Sequence, residues 1–426
     1  MTDLQTRFLV VGAGMTGLAF ANFIDDDDYL VVEREEQIGG WCKTVRRDGF
    51  VWDYSGHFFH FSDPDIESYL RRRMTSDDIV TVEKDSRIFL DGHHIDFPFQ
   101  KNIHQLPKET FVDALYDLYF RDELDHDAEP GSFEEMLFEK FGRTISELFL
   151  IPYNEKLYAC DLSTLDRDAM GRFFPHADLE AIIRNMRRPD NESYNATFTY
   201  PLDGAISYVD ALASEVPDDA IMTGAGVIDI DPEQRIATLA DGRTVSYEQM
   251  ISSAPFDRLL RMTGIDHNPS VFSSNKVLVF NFGFDAKGPT DVHWIYFPER
   301  DISFYRTGFY DNIMGADRMS LYVEIGLPTD ASIDIESTRR QILGDLESVG
   351  IVDGHQLVAD HHVVLDPAYV HITGKSLEEF NELSASLQCA GIHSIGRYGG
   401  WTYCSIEDNI VEARQLARRF NRIDRR

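Results

Sequence analysis

The chain has little positive charge, few cysteines and no long apolar stretch. Its 40 lysines and arginines face 73 acids across 426 residues, a formal net charge of -33. Such a field repels phosphate backbones and anionic bilayers, which argues against nucleic acid or a membrane as partner. It also means that an anionic small substrate needs a local cluster of arginines. No apolar run approaches bilayer length, and acids stand where a leader peptide needs basic residues and an apolar stretch. The expected location is therefore cytoplasmic. The 4 cysteines, Cys42, Cys160, Cys389 and Cys404, have no metal-ligand spacing and are expected to be reduced thiols. No metal site is expected, and the aspartate run 25–28 reads as a solvated turn. No internal repeat or low-complexity linker is visible, and the length calls for two or three domains.

What is present begins at the amino terminus. An apolar run over 8–11 leads into Gly12-Ala13-Gly14-Met15-Thr16-Gly17, and a second apolar run ends at Val31-Val32-Glu33. This is the strand, glycine turn, helix, strand and acid of a dinucleotide-binding unit. Gly12 permits the turn, Gly14 lets the backbone approach a pyrophosphate, and Gly17 lets helix pack on strand. The helix opening after Gly14 aims N–H groups and a positive dipole end at the phosphates. Glu33 stands about 20 residues on, where a carboxylate accepts a ribose hydroxyl. Arg34 follows, then a second glycine pair in Gly39-Gly40-Trp41, and then Asp53-Tyr54-Ser55-Gly56-His57. The second pair resembles the FAD fingerprint of glutathione-reductase-like and amine-oxidase-like flavoproteins. It offers a second close backbone approach to a long cofactor.

The pattern over 62–194 is mainly helical, with three- and four-residue apolar spacing over 111–120 and 133–141. A helix over 206–214 and strands near 220–223, 226–230 and 249–253 read as returning parts of the nucleotide domain. Residues 275–284 and 318–325 read as strands of a separate sheet, and a final helix starts near Ile406. The expected fold is α/β. It combines a discontinuous Rossmann-like FAD-binding domain (1–75, 205–260 and 388–426) with a mainly helical subdomain (76–204) and a separate antiparallel β-sheet subdomain (261–387).

Several later blocks resemble the UDP-galactopyranose mutase family, especially its eukaryotic type. They are Phe97-Pro98-Phe99-Gln100 with Leu106-Pro107-Lys108; Phe149 with Pro152-Tyr153-Asn154; Asn195-Ala196-Thr197-Phe198; Trp294-Ile295-Tyr296-Phe297-Pro298 leading to Tyr305-Arg306; and Gly396-Arg397-Tyr398 with Trp401 and Tyr403. The resemblance runs from end to end of the chain. It implies FAD, in reduced form for catalysis, and a UDP-linked nucleotide sugar such as UDP-galactopyranose. It implies an isomerase that interconverts pyranose and furanose rings, with the flavin N5 as nucleophile at the anomeric carbon.

The same resemblance assigns roles. Phe149 would stack on uracil, with Asn154 and Gln100 as amide partners; amides carry the donor and acceptor a uracil edge needs. Arg172 and Arg306 would hold the diphosphate, since a guanidinium fork binds phosphate bidentately. Tyr403 would hydrogen-bond a phosphate. Phe97, Asn195, Trp294 and Tyr296 would line the substrate pocket. Gly56 and His57 would lie beside the flavin ring, Val227 against the adenine, and Gly396 and Arg397 along the isoalloxazine. Asp408, Asn409 and Ile410 would present N–H groups from the last helix to the flavin.

The chain also departs from the family. Phe97 replaces a tyrosine, Ser55-Gly56 replaces a glycine pair, and Ser405-Ile406-Glu407 lacks an asparagine. The stretch 370–375 lacks a clear match for a further diphosphate tyrosine. The alternative reading is an FAD-dependent oxidoreductase of the amine oxidase or desaturase kind, which the amino-terminal motif fits equally well. The need for reduced flavin implies a reductant as partner, NAD(P)H or another.

Overall fold

An unbroken apolar run such as 8–11 is stable only in a strand covered on both faces. In the computed structural model, which describes residues 3–74, 79–120, 131–174, 179–187 and 196–424, this run is central. Strand β1 (Leu4–Val11) pairs in parallel with β2 (Tyr29–Val32) on one side and with strand Thr244–Ser252 on the other. Val10 lies between Val31 and Ile251. Strands Val227–Asp231 and Ile236–Leu239 extend this sheet beyond Thr244–Ser252, and Ile221–Met222 extends it beyond β2. Strand Ile392–Ser394 joins the far half of Thr244–Ser252 in parallel. Helix α1 (Met15–Phe23) and the last helix, Ile406–Asp424, pack together over Phe8, with Phe20 and Phe420 edge-on or tilted around its ring.

A second sheet runs in the order Leu357–Leu365, Asn275–Phe284, Ser320–Pro328, Arg306–Phe309, Trp294–Tyr296, Ser86–Leu90 and His93–Asp96. Its two-residue side-chain period divides the molecule. Leu278, Phe280, Phe282 and Phe284 face helix Ile335–Ser348 through Ile342 and Leu346. Val277 and Val279 point the other way, into the cluster that reaches Tyr296 and Tyr305.

The stretch expected to be mainly helical does hold helices Lys108–Phe120, Phe133–Ile145 and Ile151–Tyr158. It also holds hairpin Ser86–Leu90 and His93–Asp96, which joins the second sheet in parallel with Trp294–Tyr296. Strands Ile79–Glu83 and Thr197–Pro201 pair as well. The hairpin turn is Asp91-Gly92, both at positive φ (50° and 76°), the two-residue turn that matches strand twist. The helical reading overlooked that turn chemistry. Among the described residues, no helix is long and apolar enough to cross a membrane.

Candidate cofactor and substrate site

The first glycine turn sits where β1 meets α1. Gly12 has φ of 102°, and a Cβ there would meet Ser253 Oγ at 2.4 Å. A Cβ on Gly17 would lie 1.9 Å from the Gly12 carbonyl oxygen, so α1 rests directly on the turn. Gly14 caps α1, and Met15 and Thr16 form its first turn. Glu33 is 7% exposed at the end of β2. Its carboxylate accepts the Ala13 N–H at 2.8 Å and the Glu35 N–H at 3.0 Å. The Gly39 N–H donates to the Ala13 carbonyl at 2.8 Å, which ties the second glycine pair to the first turn. Gly40 then faces Gly14, leaving 3.6 Å between a Cβ on Gly40 and the Gly14 Cα.

A cavity of about 990 Å³ runs from this turn toward the second sheet, the upper end of the size of small-molecule and cofactor sites. Gly12, Gly14, Met15, Thr16, Glu33 and Arg34 line one end, with Val227 beside them. Gly40, Trp41, Gly56 and His57 line the middle. Gly56 leaves no room for a side chain, since a Cβ would lie 2.4 Å from Tyr322 Oη. His57 Nδ1 is 3.1 Å from the Ser55 carbonyl, and burial lowers its pKa to about 4, so the ring is neutral at pH 7.

The far end is rich in tyrosine and carries two arginines. Arg306 is locked to Glu324: Nε to Oε2 is 2.8 Å and Nη2 to Oε1 is 2.9 Å. Ser55 donates to the same carboxylate, which is 1% exposed. These bonds leave the Nη1 edge of Arg306 for a ligand. Arg397 pairs with no carboxylate among the described residues. Its Nη1 donates to the Cys404 carbonyl at 2.9 Å, and its guanidinium lies 4.7 Å from the Tyr403 ring and 5.3 Å from the Tyr369 ring. Burial raises the hydroxyls of Tyr153, Tyr296, Tyr305 and Tyr369, which keeps them as O–H donors.

Not every residue singled out from the sequence reaches the cavity. Arg172 is half exposed, binds Asp408 at 2.5 Å and is not part of the cavity lining. Asp408 itself caps the last helix: it accepts from the Ser405 N–H and hydroxyl at 2.8 Å, and its own N–H goes to Ser405 Oγ. Ile410 is fully buried in the core beneath that helix. Asn409 does reach the cavity. Its Oδ1 accepts the Arg397 N–H at 2.8 Å and the Thr16 hydroxyl at 3.0 Å, joining three remote segments. Gly396 lies behind the wall, with a Cβ position 2.5 Å from Thr16 Oγ1.

Phe97, Phe149, Asn154, Tyr296 and Tyr403 line the cavity, whereas Gln100 and Trp294 stand behind it. Gln100 is 1% exposed. Trp294 is covered by Phe58 at 5.2 Å and donates to Tyr296 Oη at 2.7 Å. Phe149 does not present an open face: it is stacked with Phe99 at 5.0 Å and Tyr153 at 5.3 Å. Tyr153 is the half-buried ring of that stack. Asn154 donates to the Leu150 carbonyl, and its Oδ1 is buried without a partner among the described residues. Asn195 lies outside the described residues. Tyr153, Tyr305 and Tyr369 enter the wall without having been singled out. Tyr369 stacks 6.0 Å from Tyr403. It lies just before the stretch in which the sequence showed no tyrosine match.

The profile described as flavin containing amine oxidoreductase matches residues 15–419. The chain belongs to that family. Its cofactor is FAD, and the two glycine turns, the tethered Glu33 and the long cavity fit an extended dinucleotide. Its fold is that of reduced UDP-galactopyranose mutase, with a TM-score of 0.89 and 24% identity over 97% of this chain and 93% of that one. Cyclohexylamine oxidase from Brevibacterium oxydans superposes with a TM-score of 0.67 and 14% identity over 99% and 100% of the two chains. A corticosteroid-binding protein of Candida albicans is 27% identical over 162 residues, 34% of this chain and 32% of that protein. The chain therefore matches about a third of that relative's length.

Proposed function

We propose that the protein is a flavin-dependent mutase that interconverts the pyranose and furanose rings of a UDP-linked sugar. The observation that carries this reading is one cavity reaching from the first glycine turn to a tyrosine-rich end that holds Arg306, Arg397 and the Asn154 amide oxygen, which has no partner among the described residues. The fold likeness to reduced UDP-galactopyranose mutase supports it. When bound in reduced form, FAD supplies a nucleophilic nitrogen for the anomeric carbon.

The chain's own residues do the rest. Tyr153 offers a ring to a flat base, and Asn154 Oδ1 accepts an imide N–H. Arg306, held by Glu324, turns its Nη1 edge to a phosphate oxygen. Arg397 balances negative charge between diphosphate and reduced flavin, and Tyr369 and Tyr403 donate hydroxyls there. His57 is neutral and adds no competing charge. The aromatic wall excludes water while the leaving nucleotide is retained.

A second reading, oxidation of an amine or related small molecule, is favoured by the family match itself. Incubating dithionite-reduced protein with UDP-galactopyranose and resolving the sugars by chromatography separates the two. The furanose isomer, formed only by reduced protein, is expected. Asn154→Leu is expected to weaken UDP binding roughly tenfold without changing FAD content. Turnover by oxidised protein, or no UDP binding in either redox state, overturns the mutase reading. Substrate-dependent bleaching of oxidised FAD establishes the second.

A further inference from the structure

One buried cation on the cavity wall has no assigned task. Lys43 follows the second glycine pair, lines the cavity and is only 6% exposed. Its stem packs on the glycine turn, since a Cβ on Gly39 would lie 3.4 Å from Lys43 Cγ. That turn is bonded to Ala13 and faces Gly14. The Lys43 carbonyl accepts the Tyr54 N–H at 3.1 Å. Its ammonium has neither a hydrogen-bond acceptor nor a carboxylate partner among the described residues. The ammonium is not sealed in protein but opens onto the cavity, where an anionic ligand that excludes water meets an unshared positive charge.

Other cations on this wall are already engaged. Arg34 pairs with Glu35 at 3.1 Å, Arg258 with Asp366 at 3.4 Å, and Arg306 with Glu324 at 2.7 Å. Arg397 stands among tyrosines at the far end. The near end instead carries Glu33 and Glu35, within a chain of net charge -33. A diphosphate entering there brings two negative charges. The start of α1 offers about half a positive charge in return.

We propose that Lys43 is the counter-charge to the diphosphate of bound FAD, placed there by the second glycine turn. The assignment rests on FAD as cofactor and not on the sugar reading, so it holds for either substrate.

The test is titration of apoprotein with FAD, followed by flavin fluorescence quenching, with no UDP present. Lys43→Met is expected to weaken FAD binding roughly tenfold or more, the worth of a charge-assisted contact. Lys43→Arg is expected to restore affinity to within a few-fold, because it keeps the charge. Lys43→Gln serves as a second neutral variant if the methionine variant fails to fold. At saturating FAD, the flavin spectrum and midpoint potential are expected to match the parent. Unchanged FAD affinity in the neutral variants overturns the proposal. So does an equal loss in Lys43→Arg. A shifted midpoint potential at saturation also overturns it, because it places the ammonium at the ring.

Discussion

Replacing Arg306 by methionine is expected to damage stability as well as ligand binding. Glu324 is 1% exposed and receives Arg306 bonds at 2.8 and 2.9 Å. After the substitution its carboxylate keeps the Ser55 hydroxyl but loses the opposing charge. Removing one partner of such a buried pair costs about 3–5 kcal/mol, roughly two to four decades in the folding equilibrium. Burial pushes the Glu324 carboxyl up, but the Arg306 charge and its hydrogen bonds outweigh this and hold it below its ordinary value of 4.5. A carboxyl depressed on folding contributes stability above that value, and the contribution is lost as pH falls through the folded value. The Arg306→Met protein is therefore expected to lose that acid-sensitive component. Urea unfolding at saturating FAD, at pH 7 and pH 4, reads both effects. The double variant Arg306→Met with Glu324→Leu is expected to recover most of the loss, since an apolar pair leaves no stranded charge. A single variant within about 1 kcal/mol of the parent at pH 7 refutes the reasoning.

Two further outcomes follow from the geometry. Gly17→Ala puts a methyl group 1.9 Å from the Gly12 carbonyl; the purified variant is expected to lack yellow colour, and full flavin content would contradict the packing. His57 has its pKa lowered by burial to about 4, so acidification from 6.5 toward 4 favours the unfolded chain, which takes the proton first. His57→Gln is expected to flatten the fall in melting temperature over that pH range, and an unaltered slope excludes His57 as its source.

How much was legible depended on whether the chemistry was local. The turn from Gly12 to Gly17 and the acid at Glu33 are set within one βαβ unit, so glycine spacing and apolar runs were sufficient to find them. Strand Asn275–Phe284 was legible from its continuous apolar and β-forming residues. Hairpin Ser86–Asp96 was not read, although Asp91-Gly92 carries the turn signal. Residues separated by hundreds of positions were harder. Nothing near Arg172 announces Asp408, 236 residues on, as its partner. Tyr153, four residues along the helix from Phe149, was readable as its neighbour, but nothing near Phe149 shows that Phe99 covers the other face of its ring. Lys43 reads as an ordinary surface lysine until the fold buries it.

The clasp made by Asn409 has a consequence for biogenesis. Its amide oxygen joins Thr16, near the start of the chain, to the Arg397 backbone. Domains fold as they emerge from the ribosome, amino-terminal portions first. Here the first glycine turn emerges nearly four hundred residues before the segment that closes over it. The crevice is thus closed only after the Asn409 segment has been made, and its open edge stays uncovered until then.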